Sequence, residues 1–207
     1  MSEFAQLDGE GIVLQVIVAD QGFISSGLVG NPSAWVPVIP EGSAGIGFAF
    51  DPVFGDFVSP DGLSAQQAKD RLLAVIAEIE AVALSGYSEG ERQSWATQMR
   101  EAASFLGITQ AQLLAGEPGT PGTDLALAPF LVGSCEAEYG PATNEDRLAQ
   151  VNQLAPAVAA NAKALSDLSQ ALVGVRRSAF LAIDAAGDGA GREAALEAAT
   201  LALSAIG

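Results

Sequence analysis

The sequence predicts an α+β fold: a small N-terminal antiparallel β module followed by a mainly α-helical region with a long heptad-patterned helix. Three observations predict it. "IVLQVIVA", Ile12–Ala19, is dominated by β-branched side chains, which suit a pleated, buried surface better than a helix. From Ser64 onward apolar residues recur at three and four, the period of one helix face. From Val151 a seven-residue apolar repeat runs for more than four cycles. The expected division is a β module over 1–61, a helical hairpin over 62–115, a Pro/Gly linker over 116–123, and a helical bundle or coiled-coil region over 124–207.

"DGEG", Asp8–Gly11, reads as turn chemistry ahead of the Ile12–Ala19 strand, because glycine accepts positive φ without steric cost. Gly22 to Ser43 is rich in glycine, proline and serine and predicts a loop or an edge strand, with Trp35 packing on the preceding strand. "AGIGFAFDPVFGDFVSP", Ala44–Pro60, holds four of the chain's nine phenylalanines. It reads as two short strands joined by "PVFG", with Phe48 and Phe50 on one face and Phe57 opposite them. So small a sheet needs a helix or a partner chain against that face.

Ser64 with Gln67, Ser88 with Glu91, and Thr109 with Gln112 have capping-box spacing and predict three helix starts, the first two helices stopping near Gly86 and Gly107. Asp124–Tyr139 predicts a short helical segment interrupted at Pro129, and Thr143 with Asp146 predicts the start of the longest helix. Its seam is Val151, Val158, Leu165, Leu172 and Ala179, with Leu154, Asn161, Leu168, Val175 and Ala182 three positions later. Alanine flanks that seam where a partner-selecting coiled coil carries Glu and Lys. Packing within a bundle and self-association as a dimer or trimer are both open on this pattern. Pro156 marks a kink or the true start of the helix. A last helix is expected from Arg192 to Ile206.

Composition narrows the function. With 25 acidic against 9 scattered basic side chains the net charge is −16, which argues against nucleic-acid binding and against an anionic membrane surface. No apolar run approaches the ~20 residues of a spanning helix, and "MSEFAQLDGEG" lacks a secretory pattern, so a soluble, cytosol-made protein without membrane insertion is expected. The absence of histidine removes the Ser-His-Asp and Cys-His arrangements and histidine metal sites, and a lone Cys135 cannot form an internal disulfide. "DAAGDGAGREAALE" places Ala186 and Ala195 where a calcium loop needs ligands, and "GIG" lacks the helix of a dinucleotide fingerprint. No cofactor or metal is expected. Paired carboxylates acting on a glycan remain the enzymatic alternative, and a ligand module on the Phe-lined hairpin is a third reading.

Two stretches carry a family likeness. "GIVLQVIVADQGFI", "NPSAWV" and "AGIGFAFDPVFGDFVSP" resemble the N-terminal module of small proteins encoded beside tail-fibre genes in tailed bacteriophages, through Val16–Asp20, Trp35, Gly47, Phe48, Phe50, Asp51, Phe57 and Pro60. "YSEGERQSWATQMREAASFL" and the long helix resemble the helical domain of tail-fibre-assembly-type proteins. There the likeness rests on Glu91, Arg92, Ser94, Trp95, Gln98, Glu101 and Ala102, then on Gly174, Arg176, Ile183, Asp184 and Ala186. The resemblance covers about half of the chain; the final helix and the Gly116–Thr123 segment depart from it. It implies a non-enzymatic virion tail protein, made in the host cytoplasm, that docks on a fibre or baseplate protein, or else an assembly chaperone released from the particle. The residues expected to meet a partner are Phe48, Phe50, Phe57, Trp95, Val158, Leu165, Leu168 and Leu172.

Overall fold

A computed structural model describes residues 1–206; Gly207, the last position of the expected helical region, lies outside them. The architecture is α+β, with five short strands before residue 59 and seven helices, all but one of them after residue 64, among the described residues. The chain divides into two compact units, one of residues 1–77 and 175–205, the other of residues 78–174 with Ile206.

In the first unit β1 (Ser2–Leu7), β2 (Val13–Ala19), the short helix α1 (Gln21–Ser25) and β3 (Trp35–Pro37) build a three-stranded antiparallel sheet of order β2-β1-β3. The central strand, β1, is one that the sequence pattern does not predict. Its Phe4 and Ala5 point to opposite faces, and both faces are covered. Phe4 packs with Ala19, Ile24 and Trp35 on one side. Ala5 packs with Val13, Val38 and Phe57 on the other. The polar residues that disguise the strand are satisfied across it: Gln15 donates to the Gln6 side chain at 2.7 Å, and Glu3 accepts the Gly42 amide at 2.5 Å. Trp35 is buried, as expected, with its indole N–H donating to the Val29 carbonyl at 3.3 Å.

The hairpin β4 (Ala49–Asp51) and β5 (Asp56–Val58) pairs Phe50 with Phe57, their ring centroids 5.2 Å apart. Val13 donates to the Phe48 carbonyl at 2.8 Å and Phe50 donates to that of Gly11 at 2.9 Å, so the hairpin hangs on the edge of β2. Helix α2 (Ala65–Leu84) starts at the expected Ser64–Gln67 cap, and the Gln67 amide reaches back to the Phe57 carbonyl at 2.7 Å. Arg71 on α2 bridges Asp51 and Asp56 at 2.7 and 3.0 Å and lies over the Phe54 ring.

The second unit contains α3 (Glu89–Phe105), α4 (Gln110–Ala115), α5 (Pro129–Tyr139) and much of α6 (Asn144–Ala185). Phe105, Leu113, Leu131, Cys135, Val151 and Ala155 are buried together. Residues 116–123, the expected linker, lie inside this unit and pack against it. Thr120 donates to the Leu106 carbonyl at 2.9 Å, and a Cβ on Gly119 would stand 2.6 Å from the same oxygen. Glycine is required there by close approach.

Helix α6 runs unbroken through Pro156, which is exposed, so the proline neither starts nor ends it. The first line of the expected heptad is kept: Val151, Leu172 and Ala179 are buried at multiples of seven, with Val158 and Leu165 half-buried between them. The second line is the less buried one. Asn161 and Ala182 are exposed, and Ala155 and Ile183, each four residues beyond a buried member of the first line, are buried instead. Helix α7 (Gly189–Ser204) starts three residues before the expected Arg192, capped by Asp188. Asp184, the other carboxylate of the discarded calcium loop, pairs with Lys69 at 2.6 Å. No helix among the described residues is long and apolar enough to cross a membrane.

Candidate docking groove

An open apolar groove of about 460 Å³ lies in the second unit between α3 and α6, with Leu114 of α4 also lining it. Its α3 wall is Glu91, Trp95, Gln98 and Met99, which recur at three and four and therefore share one helix face. Its α6 wall runs from Leu154 through Val158 and Asn161 to Leu165 and Ser166. The C-terminal half of α3 is anchored in the core by Ala102, Ala103 and Phe105. Its N-terminal half is what α6 leaves uncovered. Trp95 is half-buried and meets Tyr87 edge-on at 5.1 Å and 88°, a favoured aromatic geometry that fixes the groove's largest side chain.

Polar groups sit at the rim. Glu91 closes the cap of α3: its carboxylate accepts the Ser88 amide at 2.6 Å while its own amide donates to the Ser88 hydroxyl at 3.2 Å. The Ser88 backbone amide, and secondly the Ser88 hydroxyl, hold the Glu91 carboxyl below its ordinary range. Ser94 accepts from Gln98 at 2.7 Å. Such a surface can bind by excluding water from apolar area; it holds no nucleophile beside a base.

The groove brings together three of the expected partner residues, Trp95, Val158 and Leu165. It leaves out the others. Leu168 is half-buried on α6 outside the groove, and Leu172 is 3% exposed, without surface to offer. Phe57 is likewise 3% exposed and Phe48 and Phe50 pack beside it, so the aromatic face rests on the chain's own sheet. Tyr87, Met99 and Leu114 escape the sequence reading. Met99 could have been found as the residue one turn beyond Trp95, but nothing local brings Tyr87 or Leu114 to that face.

A second, more polar cleft in the first unit is bordered by Asp56, Asp61, Asp70, Asp188 and Arg192. Most of its carboxylates are already engaged. Asp56 holds Arg71, Asp70 accepts from Gln66 at 2.8 Å, and Asp188 accepts the Gly191 amide at 2.8 Å. Among the described residues no group of three or more His, Cys, Asp or Glu side chains is placed to hold a metal ion. Cys135 is buried, and burial pushes its thiol upward from 9.0, away from reactivity.

Fold and site together define an α+β chain with an apolar trough between two helices of its second unit. No family model, curated protein or solved structure matches it.

Proposed function

We propose that the chain is a non-enzymatic docking protein of a bacteriophage tail, associated with the tail fibre or baseplate and retained in the virion. The single observation that carries docking is the groove: a half-buried tryptophan and an aliphatic wall left open to solvent, with no reactive pair among them. Isolated apolar residues on a surface need no explanation, whereas a contiguous concave set usually has an occupant. The phage setting is supported by the two-part resemblance through Val16–Asp20, Phe48, Phe50, Glu91, Arg92 and Trp95.

Proteomic analysis of purified particles of the encoding phage tests this reading. Recovery in fixed stoichiometry with the fibre or baseplate supports a virion part. Absence from particles, with purified fibre protein still binding the chain, assigns it to assembly as a released chaperone. Absence of both ends the proposal.

A further inference from the structure

We propose that the α3–α6 groove seats an amphipathic helix with a basic flank, supplied by the partner protein; this rests on the docking function above. The stretch of α6 that walls the groove, Leu154 to Ser166, is about 18 Å long at about 1.5 Å per residue, room for three turns of a helix laid alongside. An apolar face at i, i+4 and i+7 would meet Trp95, Met99, Val158 and Leu165 in turn.

Charge decides which helix. Glu91 is the one charged side chain lining the groove among the described residues. The cations beside the lining residues Glu91 and Ala162 are already paired, Arg92 with Glu89 at 2.7 Å and Lys163 with Asp167 at 2.5 Å, and Arg100, exposed on α3, is not among the lining residues. Residues 78–174 carry 12 acidic and 4 basic side chains. A lysine or arginine beside the apolar face complements that surface, whereas a second copy of this chain would bring the same negative charge against it.

The experiment uses the full chain and two synthetic helical peptides with identical leucines at i, i+4 and i+7, one flanked by lysines and one by glutamates. Fluorescence anisotropy should show the lysine peptide binding at least about tenfold more tightly at low salt, the advantage shrinking as salt rises. Leu165→Glu should abolish binding with an unchanged circular dichroism spectrum. Glu91→Gln, which keeps the cap because glutamine serves equally at that position, should cut the lysine peptide's advantage about two- to fivefold. Equal binding of the peptides, binding of neither, or a homodimer that Leu165→Glu dissolves would overturn the inference. Fibre-protein capture that survives Leu165→Glu would overturn the groove and spare the docking function; no capture by the unaltered chain would end the function itself.

Discussion

The Glu101 carboxylate, three-quarters of the way along α3, accepts the amide hydrogen of Phe130 at the start of α5 at 2.7 Å. It takes the Leu131 amide as well, at 3.1 Å. Helix α5 has no cap of its own, since Ala128 precedes Pro129 and offers no side-chain acceptor. A residue from another helix therefore supplies what a local serine or aspartate supplies elsewhere, and negative charge at a helix N-terminus is favourable.

Glu101 is 6% exposed, so removing it leaves buried amide donors unpaired. Glu101→Ala should cost about 3 kcal/mol of unfolding free energy, and Glu101→Gln about half of that because an amide oxygen still accepts. Urea denaturation checks both. Equal stability of the alanine variant would mean that water replaces the carboxylate freely.

Gly189, buried at the start of α7, touches the Asp61–Gly62 backbone so closely that a Cβ there would run into the Asp61 carbonyl oxygen. That oxygen is backbone and cannot swing aside. Gly189→Ala should destabilise the first unit by about 1–3 kcal/mol. Gly187→Ala, with nothing within 4 Å, should be neutral and serves as the control. Thermal unfolding of the pair measures the difference.

What the sequence reveals follows the distance over which each signal acts. The caps at Ser64, Ser88, Thr109 and Thr143 were legible because each needs a partner only three residues away, and all four are made. β1 was hidden because Gln6 and Glu3 look like surface residues until Gln15 and Gly42 arrive to meet them. The seven-residue period of α6 was legible, since Val151, Leu172 and Ala179 are buried on it, but not which flank packs: Ala155 and Ile183 are buried four residues beyond that line, and Ala182, three beyond it, is exposed. The groove was half legible. Val158 and Leu165 stand out by periodicity, but Leu114 reaches them only through the turn that packs α4.

Arg71 joins two carboxylates and an aromatic ring, with its side chain 16% exposed. A planar guanidinium can bridge Asp51 and Asp56 while stacking on Phe54; an ammonium can do one or the other. Arg71→Met should leave two like charges facing each other across the β4–β5 pair and cost about 1–3 kcal/mol. Arg71→Lys should recover less than half. Hydrogen exchange at Phe50 and Phe57, which pair across the hairpin, would localise the loss; uniform protection would show that the clamp is dispensable.

The pH dependence of α3 follows from its cap. The Ser88 backbone amide, and secondly its hydroxyl, hold the Glu91 carboxyl below 4.5. A carboxyl depressed in the folded state stabilises the fold above its unfolded value and stops doing so as pH falls through the folded one. The first turn of α3 should therefore keep its full cap above pH 4.5 and fray on further acidification. Carboxyl-detected NMR should find Glu91 titrating below 4.5, and Ser88→Ala should move it part of the way back, because the hydroxyl is lost while the backbone amide remains. The direction matters for docking too: since Glu91 stays ionised through mild acidification, affinity for the lysine-flanked peptide should hold between pH 7 and pH 5. A loss within that window would place the titrating group elsewhere on the surface, away from the α3 cap.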